Sequence, residues 1–547
     1  MRNWLNLGLL SLLLAAWIFP GTIGRDPWKP DETYSFGMVL SIVESGDVVV
    51  PTLAGEPFME KPPLLYALAA LTAKVFSPLL ALHEGARLAL LFFHAITLVA
   101  LLVAARELYG PGKAWLAALL LIGNGATLHN FHMLITDMAL LSGFALGFCG
   151  LALSQRRPWL GGIVAGTGVG VALMAKGLIG PGLIGASTLL LPVLFRTWRT
   201  RNYLRLLAGM ALAALPWVIL WPTLLYARSP ELFHQWFWVN NFGRFLGVKS
   251  GTGHLGPPNE SFFYLRNLPN FTLPALPFAL WTWWRGRREI WQRVDLQLTL
   301  LPLVVILGVL SMASDARLLY AQPIVLLLAL AGAKAFDFIP ETWIRRAHLL
   351  LTVFFGVVFV ALWGGWLAEL WQVPAPLWAN VYAGFNAYQP AFHAIPFALA
   401  LFATLLLAWR FWQTDRTDTL ALVLNYTAGA IGAYLLLMTL FLPMQNARNS
   451  YRGLFSPLRE ILPAGSLVAS RGIDDTERAM LHYYAGIKTR RVEVKKNDIG
   501  NCAFFFLQVN YASRLDPALL PAGPWKLIWE QQRLNRTVFR VYKKAGP

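Results

Sequence analysis

Apolar runs of about 17–25 residues, the length a helix needs to cross a bilayer, recur along this chain from end to end. They fall near 4–21, 86–106, 113–131, 134–154, 158–176, 178–197, 204–225, 268–284, 296–313, 317–337, 348–371, 391–412 and 418–443, about thirteen in all. Inside a bilayer each backbone amide has to find its partner within the segment, so runs of this kind are read as helices. Composition agrees. Of 547 residues 56% are hydrophobic and 14% charged, where a soluble domain carries about 25% charged residues. The mean hydropathy is +0.52. The first run has the look of a cleaved signal, but no A-x-A-like site follows it. The chain runs on into Pro27-Trp28-Lys29-Pro30, so the run is kept as a first span. The expected fold is an all-α polytopic transmembrane domain over 1–443.

A net charge of +18 raises the question of nucleic acid. The basic residues do not form one patch, however. Arg106 and Lys113, Arg156 and Arg157, the group from Arg196 to Arg205, the group from Arg285 to Arg293, Arg345 and Arg346, and Arg410 with Arg416 fall at alternate joints between apolar runs. That is the pattern that orients membrane helices with these joints in the cytoplasm, and no nucleic-acid partner is expected. The remaining joints then face outward, which in a bacterium is the periplasm. They include interfacial helices expected at 25–85 and a long connection at 226–267. With an odd number of spans, 444–547 lies outside as well.

That tail has a different composition. Leu467–Ser470 leads into Asp474–Gly486, an amphipathic helix with a capping Asp and a closing Gly. Arg490–Val494, Phe504–Val509, Lys526–Gln531 and Val538–Lys544 read as short strands. A small α/β domain is expected at 444–547. The two cysteines, Cys149 and Cys502, suggest neither a disulfide framework nor a metal-ligand spacing.

Chemistry is expected on the outward side. Arg25 to Tyr66 gathers Asp31, Glu32, Glu44, Asp47, Glu56, Glu60 and Lys61 close to the bilayer surface, where charge needs a partner or water. Asp31 and Glu32 follow Pro30. A carboxylate there is a helix start, or a catalytic group that acts as a base or steadies a developing cation. Two prolines after Glu60-Lys61 hold that pair in an extended piece. The ammonium suits a phosphate; the carboxylate, joined by an imidazole, suits a divalent metal such as Zn or Mg/Mn. Of His83, His129, His132, His234 and His254, the last is favoured, since it lies in the glycine- and proline-rich turn 251–258. Arg87, Lys176, Arg244, Lys249, Arg266 and Arg317 stand on outward joints against the topological bias. They serve either lipid headgroups or a substrate phosphate. Tyr320, three residues after Arg317, shares its face.

Pro30-Asp31-Glu32-Thr33, Ser45-Gly46-Asp47, Val50-Pro51, Pro57-Phe58 and Glu60-Lys61-Pro62-Pro63 with Tyr66 resemble the opening of the lipid A aminoarabinose transferases. More widely they resemble the polyprenyl-phosphate-dependent GT-C glycosyltransferases, which include the protein O-mannosyltransferases. Met174-Ala175-Lys176-Gly177, His254 ahead of Phe262-Phe263-Tyr264, and Arg317, Tyr320 and Pro323 extend the likeness. It implies transfer of 4-amino-4-deoxy-L-arabinose from undecaprenyl phosphate to lipid A at the periplasmic face of the inner membrane, with resistance to polymyxin as a consequence. The implied partners are that lipid-linked donor, lipid A and membrane lipids. The implied catalytic residues are Asp31 and Glu32. The implied phosphate ligands are Lys61, Arg87, Lys176, Arg317 and Tyr320, and the implied metal ligands are Glu60 and His254. Tyr34-Ser35-Phe36-Gly37 departs from the family's usual Arg-Tyr-Ala-Glu, and Asn240 and Asn241 stand where a member may carry a histidine. Transfer to protein Ser/Thr or another envelope glycan is the alternative. A transporter or flippase fits less well, since no internal repeat is evident.

Overall fold

The computed structural model describes residues 2–247, 259–382, 388–463, 465–493, 500–510, 519–534 and 537–545. Each expected span coincides with a helix or a broken pair of helices. Nine helices among the described residues are long and apolar enough to cross a membrane, from Leu82–Tyr109 to Thr419–Leu440. Arg2–Ile18 and Ile179–Leu194 are apolar but shorter, at 17 and 16 residues.

Two expected spans are interrupted. The run at 113–131 forms Pro111–Ile122 and Gly125–Asn130, and the run at 268–284 forms Phe263–Thr272 and Ala275–Gly286. One side chain serves both breaks. Asn124 Oδ1 accepts from the Thr127 amide at 2.8 Å and caps the second piece of the first pair. Its Nδ2 donates to the carbonyls of Phe271 and Leu273, at 2.9 and 2.7 Å, where the second pair parts. A buried amide thus satisfies backbone groups that neither helix could satisfy for itself.

Thr136–Leu153 and Pro158–Lys176 pack closely because glycines face each other. A Cβ on Gly150 or Gly161 would run into the partner helix's backbone. Small residues are what allow two helices to approach in this way without a hydrophobic driving force between them.

Asp31–Ser45, Leu64–Phe76 and Leu82–Arg87 form the helices of the opening stretch, which the charge pattern assigns to the outside. Asp31 and Glu32 occupy the first turn of the first of these, where negative charge meets the positive end of the helix dipole. Gly46, at φ +75°, closes it with its amide on the Ile42 carbonyl. Between the first two helices lies a tight hairpin of β1 (Thr52–Leu53) and β2 (Glu56–Pro57). The long connection contains a π-helical segment, Gln235–Gly243.

The tail forms a five-stranded sheet of β3 (Val468–Arg471), β4 (Thr489–Arg491), β5 (Phe504–Asn510), β6 (Trp525–Arg533) and β7 (Thr537–Lys544), in the order β4-β3-β5-β7-β6. β3 is parallel to β4 and β5; β7 is antiparallel to β5 and β6. The helix Asp475–Ala485 lies against Asp31–Ser45.

Candidate active site

Asp31 and Glu32 are adjacent in the chain, and successive helical positions point about 100° apart. The two carboxylates consequently enter different environments. Glu32 turns inward and is 1% exposed. Arg25 Nη1 and Nη2 donate to its two oxygens at 2.7 and 2.8 Å, and Arg87 Nε donates at 2.7 Å. The amides of Trp28 and Leu134 donate at 3.1 and 3.2 Å. Arg87 spends its other nitrogens on the carbonyls of Thr22, Arg25 and Asp26. Burial alone would push the Glu32 carboxyl up, but Arg25 and Arg87 more than offset it, and it falls from an ordinary 4.5 to about 2. Glu32 and Arg87, expected to act in catalysis and phosphate binding, therefore form a closed clamp. It ties the first span's exit to the start of the next helices, and each Glu32 oxygen and each guanidinium nitrogen of Arg25 and Arg87 has a partner within the chain.

Asp31 faces a different way, into a cluster at one end of several helices. Arg317 Nη1 donates to Asp31 Oδ1 at 2.9 Å, and the Tyr34 hydroxyl donates to the same oxygen at 3.1 Å. Lys61 Nζ donates to the Tyr34 hydroxyl at 2.6 Å. Lys176, the last residue of its helix, is bonded to Asp137 at the start of the preceding one. Its ammonium lies 4.0 Å from the centre of the Tyr320 ring, a cation–π contact. The Tyr320 hydroxyl donates to Asp315 Oδ2 at 3.3 Å. Arg244, just past the π-helical segment, is bonded to Glu60 and reaches Asp315 at 3.6 Å. Asn240, within that segment, donates to the Met59 carbonyl at 2.8 Å and so holds the Glu60-Lys61 loop.

Four cations, Lys61, Lys176, Arg244 and Arg317, thus interleave with four carboxylates, Asp31, Glu60, Asp137 and Asp315. Burial draws Lys61 down, but Glu60, Tyr66, Asp137 and Asp31 together outweigh this and hold the ammonium above its ordinary value. Burial likewise pushes Glu60 up, while Lys61 and Arg244 hold it below the usual carboxylate range. Tyr34 is raised well above its ordinary value, first by burial and then by Glu60 and Asp31, so it stays a neutral phenol. A site of this kind suits a phosphate ester next to a developing sugar cation: cations for the leaving oxygen, carboxylates for the carbon.

Of the expected residues, Asp31, Glu60, Lys61, Lys176, Arg317 and Tyr320 are brought together here. Arg244, read from sequence as a contact for lipid headgroups or a substrate phosphate, joins them, and so do Asp137, Asp315 and Tyr34, which had no assigned role. Arg244 carried a signal, a basic residue on an outward joint. Tyr34 carried another, three residues after Asp31 on one helix face. His254 and Lys249 lie outside the described residues. Glu60, the described half of the expected metal pair, is bonded to Arg244, and no group of three or more His, Cys, Asp and Glu side chains among the described residues could hold a metal ion. His132 is buried and bonded to the carbonyls of Leu128 and Trp17, and His83 to the Tyr483 hydroxyl, so both serve packing.

The whole chain superposes on the crystal structure of ArnT from Cupriavidus metallidurans bound to undecaprenyl phosphate, with a TM-score of 0.73, 17% identity and coverage of 100% of this chain and 99% of that one. The fold is therefore the GT-C fold of ArnT, with nine helices among the described residues long and apolar enough to cross a membrane. In sequence the chain is similar to the undecaprenyl phosphate-alpha-4-amino-4-deoxy-L-arabinose arabinosyl transferase of Edwardsiella ictaluri, 30% identical over 304 residues, 52% of this chain and 51% of that protein. The protein of the same name from Pseudomonas savastanoi pv. phaseolicola is 28% identical over 339 residues, 60% of each. The chain thus spans about half to three fifths of the length of these two relatives. No family model matches it.

Proposed function

We propose that this protein is a glycosyltransferase that moves 4-amino-4-deoxy-L-arabinose from undecaprenyl phosphate to a lipid A phosphate at the periplasmic face of the bacterial inner membrane. The observation that carries the reading is the Asp31–Tyr34–Lys61 and Asp31–Arg317 constellation at the outward helix ends of an ArnT-type fold. In the reaction the bond between the sugar's anomeric carbon and the donor phosphate oxygen breaks, and its electron pair stays on that oxygen. Lys61 and Arg317 bind the phosphate, with Lys176 and Tyr320 beside them, and stabilise the charge that accumulates there. A bond forms from an acceptor oxygen to the anomeric carbon. An ionised lipid A phosphate needs no base, so Asp31 orients the acceptor and steadies the oxocarbenium-like carbon. A hydroxyl acceptor would instead give its proton to Asp31.

Mass analysis of lipid A from cells with and without the protein tests the reading. Aminoarabinose on lipid A only when the protein is present is the expected result, together with greater survival in polymyxin. Unmodified lipid A alongside a newly glycosylated protein or envelope glycan would keep the donor chemistry and replace the acceptor. A divalent cation held by Glu60 and His254 is a separate proposal. It expects the purified Glu60→Ala/His254→Ala double variant to carry less bound metal than wild type, measured by elemental analysis, and equal content rejects it.

A further inference from the structure

Tyr34 is a neutral group that bridges a cation and a carboxylate of the cluster through one oxygen. Its hydroxyl accepts from Lys61 at 2.6 Å and donates to Asp31 at 3.1 Å, while Asp31 accepts from Arg317 on the same oxygen. Its ring packs against Phe58, 5.9 Å between centroids, which fixes the phenol from the hairpin side. A lysine ammonium has three donors on a flexible stem and no direction of its own. Among the described residues the Lys61 ammonium makes one hydrogen bond, to Tyr34, and that bond decides where its other two donors point.

We propose that Tyr34 is a positioning residue: it aims Lys61 at the donor phosphate and holds that ammonium in register with Asp31. The inference rests on the transferase reading, since it is the donor phosphate that Lys61 would meet. It follows that the loss of the hydroxyl acts through Lys61. Without it the ammonium swings towards Glu60, its nearest carboxylate in the chain sequence, and the phosphate meets a less organised cation.

The test is a double-mutant cycle on binding, using undecaprenyl phosphate titrated into the purified full-length protein. Tyr34→Phe keeps the ring and its contact with Phe58 and removes one oxygen. It is expected to weaken binding about tenfold, the scale of one hydrogen bond to a charged group. In a Lys61→Met background the same change is expected to alter affinity less than twofold, because the group it acts through is gone. Equal weakening in both backgrounds would make Tyr34 a purely structural residue, and an unchanged affinity in Tyr34→Phe would remove it from the site. Either result overturns the inference while leaving the transferase reading in place. A wild-type protein that binds no undecaprenyl phosphate refutes that reading, and this inference with it.

Discussion

Asp31 and Glu32 share a peptide bond and little else, and conservative substitutions should separate them. Asp31→Asn removes a charge and almost no volume from a group that is partly open to the site. Transfer is expected to fall on the order of 10²–10⁴-fold, the range for a positioned acid–base or charge-stabilising group. The unfolding midpoint in detergent should stay close to wild type. Wild-type turnover by a well-folded Asn variant would reduce Asp31 to a helix start. Glu32→Gln leaves two buried guanidiniums without their counter-charge, and the loss of one partner from a buried pair costs about 3–5 kcal/mol. This variant should express poorly or unfold at a lower temperature. Glu32 also gives the fold a pH dependence. Glu32 titrates lower in the folded protein, near 2, than at its ordinary 4.5. Its stabilising contribution is therefore present above 4.5 and is lost as pH falls towards 2. An unfolding series from pH 5 to 2 should show that loss in wild type, and a flatter curve for the Gln variant.

The helix Asp31–Ser45 is held on two sides. Its first turn faces the charged cluster, and its length packs against the tail helix Asp475–Ala485. The approach depends on Gly37, where an added Cβ would come within 2.6 Å of Ala479 Cβ and of Leu53 Cδ1. Polar contacts flank it. His482 and Lys488 both reach Glu44 at 3.0 Å, Arg478 and Arg491 converge on Glu56 at 3.2 and 2.5 Å, and Thr476 donates to the Pro30 carbonyl at 3.2 Å. The tail thus braces the same segment that presents Asp31, Tyr34 and Lys61. Gly37→Val should force the two helices apart at an overpacking cost of about 1–3 kcal/mol. Limited proteolysis should then cut the tail faster than in wild type, with a smaller drop in donor binding. A protease pattern and midpoint identical to wild type would show that the contact has room to spare.

Every group in the cluster sits on joints that the charge pattern assigns to the outside, and the tail shares that side. Orientation can be read directly by labelling single cysteines with a membrane-impermeant maleimide. The two native cysteines are buried, which keeps the background low. Val48→Cys and Lys543→Cys should label in intact spheroplasts. Arg157→Cys and Arg288→Cys should label only after lysis. The reverse pattern would place the cluster on the cytoplasmic side and exclude a periplasmic acceptor.

Hydropathy over twenty residues is a local sum, and it survives any arrangement of the helices. That is why the spans and the strands of the tail were legible in the chain alone, and why the charge pattern could assign Asp31, Lys61, Lys176 and Arg317 to one common side. The breaks at Asn124 and Leu273 were not, because each helix end is satisfied by a side chain or carbonyl some 150 residues away (the spacing from Asn124 to Leu273 is 149). The partners of the charges were hidden for the same reason. Arg317 meets Asp31 across 286 positions, and Arg244 meets Glu60 across 184. Nor did any local feature tell a clamp from a reactive group in Asp31-Glu32. Both are acidic, both follow Pro30, and both suit a helix start. The difference lies in Arg25, Arg87 and the Leu134 amide closing around one carboxylate while the other is left to Tyr34 and Arg317. Charge and apolarity select the side of the membrane, but a hydrogen bond depends on a few tenths of an ångström between residues that only packing brings together.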